Sequence, residues 1–175
     1  MRIPSSRNPI VASSVNPFVA SSINPNVASS LNPSISSSKN PFISSSLNPN
    51  YASSINPRFA PSLNYQYAAS INPRYATSLN PRFSLSINPN YSFNIRGLYI
   101  FDLQLLPLGF TVPANDRVNL VFAPSCEFVG TLINARDDFR NEFNLANEWK
   151  GFWIHARGNV WLRFDLSGRW TGFTT

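Results

Sequence analysis

Apolar residues recur at every fourth position from Ile3 to Ile95. Of the 24 positions in that series 22 are apolar, and the two that are not are Arg7 and Lys39. A slower rhythm runs through the same stretch. Asparagine stands at every eighth residue from Asn8 to Asn88, and proline follows it each time except at Tyr65. The unit reads Asn-Pro-x-h1-Ala/Ser-Ser-Ser-h2, where h1 and h2 are the two apolar positions. A constant period without insertions marks a repeat architecture, in which each unit packs on its neighbours.

The repeat excludes an α-helix, because a proline every eight residues removes a helical hydrogen bond and clashes with the preceding turn. It suits a β-strand: four is an even number, so successive apolar residues share one face. Proline is kept out of central strand positions, and Asn-Pro is a favoured start of a type I turn. The pattern therefore predicts short strands such as Val11–Val15, with Val11, Ser13 and Val15 on one face. The turns between them fall at Asn8-Pro9, Asn16-Pro17, Asn24-Pro25, Asn48-Pro49, Asn72-Pro73 and Asn88-Pro89. On this reading Ser53 is a mid-strand residue at which proline is costly.

One octad cannot order itself by hydrophobic burial. Fixing eight backbones costs roughly 8–16 kcal/mol, whereas two buried apolar side chains return about 3–6 kcal/mol. Each octad needs strand hydrogen bonds and neighbours, either from the next turns of the chain or from other copies. Two octads per coil give a β-solenoid, which resembles the bacterial ice-nucleation proteins in its octad arithmetic, although their Thr-rich motif is missing. Three intertwined chains give a β-spiral, which is similar in architecture to the shafts of viral attachment fibres. The array begins at residue 1, with Ile3, Ser5 and Ser6 already in phase and no leader or cap.

The material changes after residue 95. Residues 96–175 show alternation at Leu98–Leu106, Arg117–Ala123, Phe152–Arg157 and Val160–Leu166, with a short apolar run at Phe128–Ile133. Gly158-Asn159 is a hairpin signal between two of these runs. Phe139/Phe143 and Leu145/Trp149 stand at helical spacing, so a short helix is expected within Asp137–Trp149. The fold class is all-β: an octapeptide-repeat array over residues 1–95, as a β-solenoid or β-spiral fibre shaft, and a globular β domain over residues 96–175. That domain reads as a sandwich or barrel-like body of five or six strands with one short helix.

Charge divides the same way. Residues 1–95 hold six basic side chains and no acidic one, so the net charge of +6 sits on the array. Along it h1 changes from Val and Ile to Tyr and Phe after Ile43, and x becomes arginine at Arg58, Arg74 and Arg82. Aromatic and arginine side chains stack on sugars or hold anionic polymers, which makes Arg58, Arg74, Arg82, Trp153 and Trp161 candidate glycan or anion contacts. The other reading is a wider core beside the globular domain, with the tryptophans packed inside it.

Catalysis finds little footing. His155 is the one histidine and Cys126 the one cysteine, too few for a usual zinc site or a disulfide. Asp137, Asp138 and Glu142 read as acids at a helix start. No catalytic residue, cofactor or metal is expected. No apolar run reaches the roughly 20 residues of a membrane span, and no signal peptide is visible. The expectation is a non-enzymatic structural protein: a subunit of a self-assembling extracellular fibre, appendage or coat, at a cell surface or on a virion. The array would be its shaft, and the partners other copies of itself. The alternative is a stalk carrying a receptor- or glycan-binding head. An anionic polymer or glycan is a candidate partner, and nucleic acid is disfavoured.

Overall fold

The computed structural model describes residues 1–175, and residues 1–95 contain no strand. Each octad is instead two tight turns. The Asn8 carbonyl accepts the N–H groups of Val11 (3.0 Å) and Ala12 (2.8 Å), while Asn8 Oδ1 accepts the Ile10 N–H (3.0 Å). A 3-10 turn over Ser13–Val15 follows, reached through extended backbone at Ala12 and left through extended backbone at Asn16. The arrangement repeats down the array, and the asparagine that opens each octad, from Asn8 to Asn88, accepts from the N–H two residues on. Asparagine is suited to this because its short amide mimics a backbone carbonyl, and proline after it supplies the φ the turn needs.

The β-solenoid and β-spiral expectations are therefore corrected. Counting in fours places h1 and h2 on one face of a strand, but a tight turn inside each four-residue step reverses the chain. The h2 side chains Ile23, Leu31, Leu47, Ile55, Leu63 and Ile71 are buried, as are all ten prolines of the Asn-Pro pairs, while h1 from Val11 to Tyr91 is 63–78% exposed. With backbone groups satisfied inside the turns, the array presents no strand edge.

The remainder is a closed antiparallel barrel of eight strands in sequence order: β1 (Tyr99–Asp102), β2 (Pro107–Pro113), β3 (Val118–Phe122), β4 (Phe128–Arg136), β5 (Phe139–Asn144), β6 (Trp149–Arg157), β7 (Val160–Asp165) and β8 (Trp170–Thr174). It closes where β1 pairs with β8 and Tyr99 and Thr175 exchange backbone hydrogen bonds. The all-β, barrel-like reading holds, with eight strands in place of five or six. The expected helix at Asp137–Trp149 is β5 followed by a turn: Phe139, Asn141 and Phe143 alternate with half-buried Arg140 and Glu142, and strand pairing on both sides overrides the i, i+4 spacing. No helix is long and apolar enough to cross a membrane.

The barrel carries a repeat of its own. Gly109, Gly130, Gly151 and Gly172 stand 21 residues apart, each beside a bulge in the pairing of its strand with the one before. A Cβ at any of them would lie 2.3–2.4 Å from a backbone oxygen of the neighbouring strand, so only glycine fits. Leu105, Cys126, Asn147 and Gly168, also 21 apart, have positive φ in four equivalent turns.

The two faces of the barrel wall differ. One bears Tyr99, Phe101, Phe110, Phe122, Phe139, Phe143, Phe152, Phe164 and Phe173, and these form a single core with the h2 residues of the array. The other bears Leu98, Ile100, Val121, Leu132, Trp153 and Trp161 as a separate cluster. An eight-stranded barrel encloses about a dozen side chains, too little room for the array. The phenylalanine face is therefore the outer one, and the array runs round it as a belt.

The path of the belt is continuous. Ser14 O accepts from Arg157 at the β6–β7 turn, Ser38 O from Arg136 at the β4–β5 turn and Ser54 O from Arg117 before β3. On the opposite rim Phe18 meets Trp170, Phe42 meets Trp149 and Tyr65 meets Phe128. The ends meet where Arg2 N–H donates to Pro89 O (2.5 Å). The accessible surface of 8387 Å2 compares with about 8,500 Å2 for a compact monomer of 19.5 kDa, far from that of a rod.

Candidate functional site

The positions that break the octad pattern are the ones that fasten belt to barrel. Arg7, at an h2 position, sends its guanidinium to Gly97 O (2.8 Å) and Thr175 O at the barrel seam and lies over the Tyr99 ring. Burial there lowers its pKa, partly offset by Tyr99. Lys39, the other charged h2, pairs with Asp138. Burial alone would raise the Asp138 pKa, but hydrogen bonds from Arg136 and Lys39 outweigh it and hold the carboxyl below its usual range. Tyr65 replaces the proline; its ring packs edge-on against Phe128 at 5.0 Å and its hydroxyl donates to Leu145 O (2.8 Å). Sequence reasoning recorded these exceptions without assigning them a role, yet the breaks themselves were the signal.

Beside Tyr65, between the belt's x-residue rim and the β3–β4 turn, lies a cavity of 570 Å3 whose lining includes Arg74, Arg82, Tyr75, Gln66, Cys126 and Glu127. It opens here for a steric reason. At the equivalent belt contacts the barrel offers the indoles of Trp149 and Trp170; here it offers the smaller Phe128. Of the candidate contacts, Arg74 and Arg82 line this groove and Arg58 stands outside it. All three side chains are exposed. The Cys126 thiol is pushed up by burial, against smaller opposing influences led by Arg82, which disfavours a reactive thiolate.

Trp153 and Trp161 are elsewhere. They are 1% and 6% exposed and line the barrel interior. Trp153 Nε1 donates to Glu142 (2.7 Å), which also receives two bonds from Arg163 (2.8 and 2.6 Å). Arg140 lies 3.8 Å over the Trp161 ring, and burial brings its pKa down to about 10. The two indoles are internal packing, as the second reading of the sequence had it. His155 packs on Trp161 and bonds Gly158 O (2.9 Å). Asp137 and Asp138, read as acids at a helix start, sit in the β4–β5 turn, and Glu142 is in β5.

The turn asparagines and prolines, from Asn8-Pro9 to Asn88-Pro89, are all buried or half-buried. Asn16, Asn56, Asn72, Asn80 and Asn88 also reach back seven residues with Nδ2 to the carbonyl of position 9, 49, 65, 73 or 81, linking one octad to the next.

The outermost feature is a collar of h1 side chains. Val11, Val19, Val27, Ile35 and Ile43 form its aliphatic half, and Tyr51, Phe59, Tyr67, Tyr75, Phe83 and Tyr91 its aromatic half. The aromatic six, at 64–78% exposure, present on the order of 800 Å2 to solvent.

Comparison with protein-family models, with curated proteins and with solved structures finds no match to this chain.

Proposed function

We propose that this is a non-enzymatic structural protein whose copies pack belt to belt into open rows, as the subunit of a fibre or coat. The collar carries the reading, because one large apolar side chain per octad, from Val11 to Tyr91, stands 63–78% exposed in regular succession. Its two halves differ in charge. In the aliphatic half the charged side chains Arg7 and Lys39 turn inward and are bonded to the barrel. The aromatic half bears Arg58, Arg74 and Arg82 outward. Aromatic against aromatic brings like charges together, whereas aromatic against aliphatic does not. The favoured contact is therefore heterologous, and heterologous contacts that do not close produce open polymers.

Sedimentation of the full chain at micromolar concentration tests this. Species larger than the monomer are expected, and they should persist from about 0.05 to 0.5 M NaCl, because the heterologous contact sets no outward arginines against each other. The triple variant Phe59→Ser/Tyr67→Ser/Phe83→Ser is expected to be monomeric with an unchanged melting temperature. A monomeric wild-type chain under all these conditions refutes the proposal, as does a variant that assembles normally.

A further inference from the structure

We infer that the groove beside Tyr65 is a binding site for an acidic oligosaccharide, a short sugar chain carrying a uronate-type carboxylate. Its volume of 570 Å3 lies within the ordinary range of about 300–1,000 Å3 for small-ligand sites. Arg74 and Arg82, from successive octads, both line it, and only their backbone N–H groups are engaged, by Asn72 and Asn80. Two guanidiniums without a protein partner, on one groove wall, suit a carboxylate. Tyr75, 73% exposed at the groove edge, offers an aromatic face of the amphipathic kind that stacks on a sugar ring.

Glu127 decides between anion classes. It lines the same groove and forms no ion pair with either arginine. A carboxylate there accepts hydrogen bonds from sugar hydroxyls and repels a ligand charged at every residue, such as a nucleic acid or polyphosphate. A ligand rich in hydroxyls with a single acid per few rings uses both the donors and the acceptor. Tyr65 keeps the groove walls in place, since its hydroxyl is tied to Leu145 O and Gln66 Nε2 reaches the same carbonyl (3.3 Å). The site is thus carried by a rigid junction of belt and barrel rather than by a loose loop. The site shares Tyr75 with the collar, so binding is to be read on a monomeric chain as well as on the wild type.

The test is calorimetric titration of the full chain with a trisaccharide of one glucuronic acid and two neutral hexoses, with a neutral galactose trisaccharide, inorganic phosphate and a dT6 oligonucleotide as comparison probes. Saturable binding of the uronate alone is expected. Arg74→Gln and Arg82→Gln should each weaken it about tenfold, the loss of one charge-assisted contact, with melting temperature unchanged. Arg58→Gln, outside the groove, should bind as the wild type does. No uronate binding at about 10 mM overturns the proposal. Equal weakening by Arg58→Gln overturns it too, since that marks diffuse charge attraction. Phosphate or dT6 binding as tightly as the uronate overturns the saccharide assignment. Running the titration on the monomeric collar variant Phe59→Ser/Tyr67→Ser/Phe83→Ser separates its failure from a failure of assembly.

Discussion

Leu47 and Ile43 are the h2 and h1 residues of one octad, and the belt assigns them opposite fates. Leu47 is 1% exposed and lies in the shared core, with its carbonyl held by Asn141 Nδ2 (2.9 Å) from β5. Ile43 is 67% exposed. Truncating a buried leucine removes its transfer free energy and leaves a cavity, together about 2–5 kcal/mol. The Leu47 site is walled on one side by a closed barrel that cannot collapse far, so a value near the middle, about 3 kcal/mol, is expected for Leu47→Ala. Ile43→Ala should stay within about 0.5 kcal/mol of wild type. For a chain of this size about 1 kcal/mol moves the melting temperature by roughly 2–4 °C, so Leu47→Ala should melt about 6–12 °C lower.

Urea unfolding of both variants, followed by tryptophan fluorescence, measures the difference. Because every tryptophan belongs to the barrel, the signal reports the barrel, and a belt mutation can shift it only through packing. A single transition is expected, moved to lower urea for Leu47→Ala with the slope kept. Equal effects of the two substitutions would restore the strand reading, in which h1 and h2 share a face. An unmoved barrel transition beside an earlier loss of the belt would refute the common core.

Tyr65→Pro restores the repeat consensus, yet it should destabilise by about 1–2 kcal/mol in thermal melts, because it removes the hydroxyl bond to Leu145 and the edge contact with Phe128; a gain in stability would contradict the tether. Ser53→Pro should cost less than about 0.5 kcal/mol or stabilise slightly in denaturant titration, because Ser53 opens a 3-10 turn as Pro61 does one octad later; a loss of about 3 kcal/mol would reinstate a strand. The Asp138 pKa is held below its unfolded value, near 3.9, so its stabilisation is present above that value and lost as pH falls through the folded pKa. Asp138→Asn should therefore melt below wild type at pH 7 and converge on it as the pH drops below about 4; a gap constant with pH would show that the ion pairs with Lys39 and Arg136 do not contribute. Deleting one whole octad, residues 24–31, should abolish the Arg2–Pro89 closure and raise amide exchange at both belt ends, whereas an open solenoid would tolerate it.

How much of this was legible follows from which forces act locally. The strands at Arg117–Ala123, Phe152–Arg157 and Val160–Leu166 were visible because one wall face meets the belt and keeps a period of two, and that at Phe128–Ile133 because its run is apolar on both faces. β2 and β8 were missed: Pro107 and Pro113 bound the first and β8 is the last short segment of the chain. The helix expectation at Asp137–Trp149 failed because Phe139 and Phe143 fit i, i+4 and period two equally well. In the array the period was plain, but four-residue parity carries no information when a turn lies inside every step. The 21-residue barrel repeat went unseen because its turns use Leu105, Cys126, Asn147 and Gly168, which share a positive φ and no side-chain chemistry. In the candidate site the arginines were picked out by sequence, while Glu127 and Tyr65 needed the belt to be wrapped before they met Arg74.

The two repeats explain each other through their arithmetic. The h2 phase recurs twelve times between Arg7 and Ile95, against four barrel hairpins, so each hairpin takes three octads. Contacts keep that ratio: Phe18 to Trp170 and Phe42 to Trp149 advance 24 residues along the belt for 21 along the barrel, and Gln66 to Leu145 and Asn90 to Pro124 do the same. A single octad cannot order itself, and the array forms no ladder that would help. What orders it is the phenylalanine wall, which offers the same surface at every third unit and so selects one length and one phase. Uniform units alone would leave the belt free to slide round that wall by three octads at little cost. Arg7, Lys39 and Tyr65 remove the degeneracy, because each finds its partner at only one of the four hairpins. The irregularities therefore set the register and the regular units supply the burial, and the groove lies beside Tyr65 because a register mark is where the two symmetries fail to mesh.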